Sequence, residues 1–179
     1  FIIPLCSKEL YEEISDKYSF WELCNQNNIN IPTEYEFPDR RIIPFVAKPR
    51  KYFSEEAAIN QKPVIVTNER EYEKLVNMKK GDFYYQEYIG GKSYYLLFYF
   101  SKVGVYSVYS QENLIQQHNG LSIIAAKAAD IHHKMVSRKF ANLLLGLGYN
   151  GLIMIEVKFF KNKFYMIEAN PRLWGPSQL

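Results

Sequence analysis

Residues 151–174 read GLIMIEVKFFKNKFYMIEANPRLW, two apolar runs on either side of Lys161-Asn162-Lys163. Runs of this length, rich in β-branched and aromatic residues and joined by a short polar segment, predict a β-hairpin. Side chains alternate between faces along a strand. Ile153, Ile155, Val157 and Phe159 therefore share one side of the first strand, and Leu152, Met154, Glu156 and Lys158 the other. On the second strand Phe164, Met166, Glu168 and Asn170 share a side. If the three residues 161–163 form the loop, Glu156 stands directly across from Glu168. Like charges at opposed positions repel, and Glu in apolar surroundings is rarely left unpaired. A cation between the two reverses the sign. A hard divalent ion takes oxygen ligands, which Glu156, Glu168 and the amide oxygen of Asn170 supply from one sheet face. Pro171 stops the strand, and Arg172 adds a planar charge suited to phosphate oxygens. The same spacing also allows an amphipathic hairpin whose acids are solvated or paired with Lys158 and Arg172.

Glu156, the hairpin and then Glu168-Ala169-Asn170-Pro171-Arg172, followed by Leu173-Trp174-Gly175, resemble the metal and triphosphate end of the ATP-grasp superfamily. E-x-N-P-R is the signature of its carbamoyl-phosphate-synthase-like and carboxylate-amine ligase members. The resemblance covers nearly the whole chain, from Lys17 to Gly175, and it implies two α+β lobes that clasp a nucleotide.

Composition narrows the field independently. A chain of 179 residues that is 47% hydrophobic can bury one substantial core. The formal charge of +3 is too small and too dispersed for a nucleic-acid footprint. Cys6 and Cys24 form no C-x-x-C pair, which favours a reduced, cytoplasmic setting over a disulfide framework or a zinc site. No apolar run approaches 18 residues, so no membrane span is expected, and the opening Phe-Ile-Ile-Pro-Leu lacks the basic flank of a signal peptide. The chain starts without Met and stops just after the hairpin, which suggests a fragment of a longer protein, or only its ordered part.

Taken in order, residues 1–4 suit the tail of a strand left from a preceding domain, which extends to about residue 16. Residues 10–28 carry a helical pattern broken at Ser15-Asp16, where Asp16 can cap a second helix starting at Lys17. Asn28 and Pro32 end it. Residues 42–48 and 63–67 are predicted strands, and Asn68 with Glu71 forms a capping-box start for a helix to about residue 79. Residues 83–89, 93–100 and 103–110 are further strands, the first leading into Gly90-Gly91, a turn equally compatible with a simple hairpin. Residues 123–147 are expected to form the longest helix, with Ile131, Met135, Phe140, Leu143, Leu144 and Leu147 on its core side. His132 and His133 would then point a quarter turn apart, which argues against a ligand pair. This order predicts an α+β fold with largely antiparallel sheets. Neither G-x-G-x-x-G nor a P-loop occurs.

Set beside the resemblance, these positions acquire roles. Lys17 and Lys48, the latter in Ala47-Lys48-Pro49, match basic residues that neutralise phosphates, and equally suit a solvated lysine at a helix start and at a strand end. Gln86, Glu87, Tyr88 and Ile89 match the hinge that seats adenine. Gln86 and Ser93 stand where many members carry glutamates, which puts ribose recognition in doubt. His118, in Gln116-Gln117-His118-Asn119-Gly120-Leu121-Ser122, matches a loop beside the phosphates, and equally suits an ordinary surface histidine. Residues 50–62 contain no glycine, whereas family members commonly follow the KP pair with a glycine-rich lid. The resemblance divides the chain into a small lobe at 17–85 and a large lobe at 86–179. It implies an ATP- and magnesium- or manganese-dependent ligase that activates a small-molecule carboxylate as an acyl phosphate for an amine. Arg172 and Lys48 would be catalytic, and Glu156, Glu168 and Asn170 would hold the metal. Neither nucleic acid nor membrane is an expected partner; a homodimer is allowed. Two alternatives stay open: a nucleotide-binding module without catalysis, and an interaction domain with a chance E-x-N-P-R.

Overall fold

The computed structural model describes residues 5–50, 63–77, 83–117 and 123–172. The expectations for residues 1–4, for the glycine-free stretch after Arg50, for His118 and its loop, and for Trp174-Gly175 lie outside them. Ser7 starts helix α1 (Lys8–Ser15), its hydroxyl accepting from the Leu10 N–H. Asp16 ends that helix and starts α2 (Lys17–Gln26), accepting at Oδ1 from the Tyr18 and Ser19 N–H groups at 3.1 and 2.8 Å. One aspartate thus serves both helices, and it makes Lys17 the first residue of α2.

A four-stranded antiparallel sheet follows, built from β1 (Glu34–Tyr35), β2 (Phe45–Pro49), β3 (Val64–Val66) and β4 (Phe83–Glu87) in the order β1-β4-β2-β3. Helix α3 (Glu69–Asn77) covers it, capped by Asn68 as expected, although the Glu71 carboxylate reaches back to the Thr67 N–H. Strand alternation sorts β2 and β4 cleanly. Phe45, Ala47, Phe83 and Tyr85 pack with Leu75 and Val66 into one apolar cluster. Val46, Lys48, Tyr84 and Gln86 take the other face, with Val46 across from Gln86 and Lys48 across from Tyr84.

The larger sheet has the order β7-β6-β5-β8-β9, from β5 (Lys92–Phe100), β6 (Tyr106–Gln116), β7 (Ile123–Ala128), β8 (Gly151–Phe160) and β9 (Lys163–Asn170). One of its faces packs Leu96, Phe98, Ile153, Ile155 and Val157 against Ile14, Phe20 and Cys24 of α1 and α2, and against Phe140 and Leu144 of α4 (Met135–Gly146). Burial of these side chains is the main force holding the helices to the sheet, at roughly 25 cal/mol per Å² of apolar surface removed from water. Because β4 and β5 belong to different sheets, the Gly90-Gly91 segment crosses between them and is no hairpin turn. Gly91 has φ +84, and a Cβ there would overlap the Phe159 carbonyl oxygen. Among the described residues no helix is long and apolar enough to cross a membrane.

Four sequence expectations need correction. The helix over 123–147 is instead strand β7, a 3-10 turn (Ile131–His133) and the shorter α4. Ala125, Ala126 and Ala128 favour a helix locally, but this segment completes the edge of the sheet beside β6, and tertiary pairing overrides propensity. Met135 is consequently 64% exposed. In the 3-10 turn the His132 and His133 rings approach to 4.0 Å, contrary to the divergence an α-helix imposes. The strand over 103–110 begins only at Tyr106 and continues to Gln116. Residues 40–42 form a 3-10 turn capped by Asp39, so β2 starts at Phe45.

The fourth correction concerns the hairpin itself. Its turn has two residues, Lys161 and Asn162, both with positive φ (47 and 62), and Phe160 pairs with Lys163. This register would place Glu156 across from Ile167. A bulge at Ile167 restores the pairing of Glu156 with Glu168. The bulge also switches faces within β9: Met166 pairs with Val157 and joins Phe164 on the core side, so they do not share a face with Glu168.

Candidate functional site

The polar faces of the two sheets border a cleft lined by Lys17, Lys48, Gln86, Glu156, Lys158 and Glu168, with Glu87, Tyr88 and Ile89 at its rim. Each reaches it by strand alternation or by a cap. Lys48 leaves β2 opposite the Phe45-Ala47 core, Gln86 does the same on β4, and Lys17 is presented by the Asp16 corner.

Glu156 is 7% exposed and pairs with Tyr95 of the adjacent strand β5. Its Oε1 accepts from the Ser93 hydroxyl at 2.7 Å, Ser93 Oγ accepts from Asn113 Nδ2 at 2.8 Å, and Asn113 Oδ1 accepts from Gln111 Nε2 at 3.1 Å. Burial, then the charge of Glu168, push the Glu156 carboxyl up to about 6, against the Ser93 hydrogen bond and the charges of Lys158 and Lys48. For Glu168 burial also acts upward, but the charge and hydrogen bond of Lys17 outweigh it and hold the group below the usual carboxylate range. Lys17 Nζ donates to Glu168 Oε2 at 2.9 Å, and Asn170 Nδ2 donates to Glu168 Oε1 at 3.2 Å.

Among the described residues Lys48 is the most buried cation. Burial first, then Lys17 nearby, push its ammonium down to about 8, while Glu168 and Glu156 pull the other way. It donates to the Ile167 carbonyl at 2.8 Å. That carbonyl belongs to the bulge, so the residue that aligns the two glutamates also ties β2 to β9. Gln86 is 1% exposed, and its Nε2 and Oε1 both lack a hydrogen-bond partner among the described residues. An orphaned buried amide costs free energy until something pairs with it.

The structure therefore brings together Lys17, Lys48, Gln86, Glu87, Tyr88, Ile89, Glu156 and Glu168. Ser93 sits behind Glu156 and lines an adjoining pocket with Asn113, Glu112 and Lys158. Arg172 lines a different pocket, with Tyr11, Tyr149 and Pro171. Sequence reasoning did not give Lys158 a binding role; its alternation with Glu156 on β8 was the available signal, and its Nζ donates to the Ile89 carbonyl at 3.2 Å. Asn113 and Gln111 carried no signal, because only the β5–β6 register puts them beside Ser93. Among the described residues no three or more His, Cys, Asp or Glu cluster as metal ligands. The carboxylates of Glu156 and Glu168, a pair whose repulsion a cation would relieve, fit a magnesium ion that draws its remaining ligands from phosphate and water, whereas Asn170 does not line the cleft and turns its Nδ2 to Glu168.

A family model described as an ATP-grasp domain matches residues 14–176. No curated protein sequence matches. Among solved structures, N5-carboxyaminoimidazole ribonucleotide synthetase from Thermotoga maritima aligns with a TM-score of 0.65 at 23% identity, over 90% of this chain and 42% of that one. L-amino acid ligase from Bacillus licheniformis aligns with a TM-score of 0.66 at 19% identity, over 92% and 42%. The biotin carboxylase domain of Hydrogenobacter thermophilus 2-oxoglutarate carboxylase, in complex with MgADP, ADP and bicarbonate, aligns with a TM-score of 0.72 at 16% identity, over 95% and 42%. The chain thus spans about two fifths of the length of the structures it matches.

Proposed function

This chain belongs to the ATP-grasp family, and from that premise we propose that it is the nucleotide-binding part of an ATP- and magnesium-dependent ligase that activates a carboxylate for attack by an amine. The observation that carries the reading is the pairing of buried Glu156 with half-buried Glu168, aligned across β8 and β9 and faced by Lys17 and Lys48 in one cleft. Glu156 and Glu168 would hold magnesium, which when bound neutralises charge on the phosphoryl group being transferred. Lys48 and Lys17 would place positive charge on the phosphates. Such transfer is mostly positioning and charge stabilisation, so a cleft of fixed cations and carboxylates has the right character. Gln86 offers the base one acceptor and two donors, and the backbone of Glu87, Tyr88 and Ile89 supplies the remaining edge.

The adenine site would thus be made by β4 and the crossing segment, and the metal site by the hairpin. Arg172 lines a different pocket, so its role of holding the transferred group rests on the sequence resemblance alone. Calorimetry with Mg-ATP tests the reading. Binding that falls at least tenfold in Glu168→Ala supports it, and unchanged affinity overturns the metal role. In the full-length protein, ADP release that depends on an added carboxylate and amine supports the ligase; binding without such turnover would leave a nucleotide-binding module.

A further inference from the structure

We infer that Lys17 makes this cleft select the metal-bound nucleotide over the free metal or the free nucleotide. The inference rests on the proposed function and concerns what happens to an ion pair already present. Lys17 Nζ lies 2.9 Å from Glu168 Oε2, with both side chains largely withdrawn from solvent at 18% and 27% exposure. The other Glu168 oxygen accepts from Asn170, and Glu156 Oε1 accepts from Ser93. Lys17, Lys48, Lys158, Glu156 and Glu168 all interact electrostatically, through the linked effects on Lys48 and Glu156.

A divalent ion arriving alone must push the Lys17 ammonium off Glu168, leaving a largely buried cation without a partner, which is strongly unfavourable. A triphosphate arriving alone draws the lysines away and leaves two carboxylates, one buried and one half-buried, facing each other. The metal–triphosphate complex makes both exchanges together: metal takes the carboxylates, phosphate takes the lysines, and every charge keeps a partner. Magnesium also prefers one or two protein carboxylates completed by phosphate oxygens, which matches the two carboxylates here. Lys17 is therefore a selector, since it competes with the metal in one state and binds the phosphates in the other.

The two roles predict opposite signs for one substitution. Manganese binding to the chain is followed by electron paramagnetic resonance with and without ATP, and nucleotide binding by calorimetry. Lys17→Met, and independently Lys17→Gln, should bind free manganese about tenfold more tightly than wild type and manganese-ATP about tenfold more weakly, because a charge-assisted hydrogen bond is removed from one state and a phosphate contact from the other. Lys17→Arg should keep the wild-type pattern. A merely structural lysine would move both affinities in the same direction, and that result, or unchanged manganese affinity in both neutral variants, overturns the inference while leaving the proposed function standing. Wild type that binds no manganese-ATP overturns the proposed function itself, and with it this inference.

Discussion

Replacing Gln86 with leucine should make the ligand-free chain more stable and its nucleotide affinity lower. Gln86 is 1% exposed on the cleft face of β4, across from Val46, and neither of its amide atoms has a partner among the described residues. Leucine has a similar volume and no polar atoms. Burying a polar group without a hydrogen bond costs roughly 1–3 kcal/mol, so Gln86→Leu should gain about that much. In a chain of this size each kcal/mol moves the melting temperature by about 2–4 °C, which predicts a rise of about 2–12 °C. With a ligand bound the order reverses, because the amide then has partners and leucine offers none; the loss of one or two hydrogen bonds weakens Mg-ATP binding roughly tenfold to a hundredfold. Thermal unfolding followed by circular dichroism, with and without saturating Mg-ATP, reads both effects, since bound ligand raises stability in proportion to the logarithm of its concentration over Kd. A variant that melts below wild type without ligand would mean that the amide is already satisfied. A variant that binds Mg-ATP as tightly as wild type would mean that the amide does not meet the ligand.

Two further outcomes follow from the same geometry. Gly91→Ala combines a positive φ of +84 with a Cβ that would overlap the Phe159 carbonyl, so it should lower stability by about 3 kcal/mol or more, read as a lower urea midpoint. Lys48→Met should be more stable than wild type at pH 7 and lose that advantage at high pH. The folded Lys48 pKa is depressed from 10.5 to about 8. Wild type therefore bears the full cost of the buried charge below pH 8, recovers stability as pH rises from 8, and bears none above 10.5. That cost is on the order of 3 kcal/mol, and losing the hydrogen bond to the Ile167 carbonyl offsets about 1 kcal/mol of it. A stability difference between variant and wild type that does not shrink between pH 8 and 10.5 would refute the assignment.

Local chemistry in the sequence determined the two helices divided at Asp16, the capping of α3 by Asn68, the hairpin and the α+β class. Each depends on residues close together along the chain: a carboxylate three residues from the amide it caps, or an alternation of period two. The pairing of Glu156 with Glu168 was legible as well, although a three-residue loop was the wrong route to it. A two-residue turn and a bulge at Ile167 produce the same alignment, and only the packing of Met166 against the core demands that combination. Tertiary structure alone decided that the alanine-rich segment 123–128 is an edge strand, because β6 had unpaired hydrogen-bonding groups that outweigh helix propensity. It alone brought Asn113 and Gln111 behind Glu156, and left the Gln86 amide without a partner among the described residues. Those facts arise from register and burial across strands distant in sequence, where the free energy comes from contacts that no local window contains.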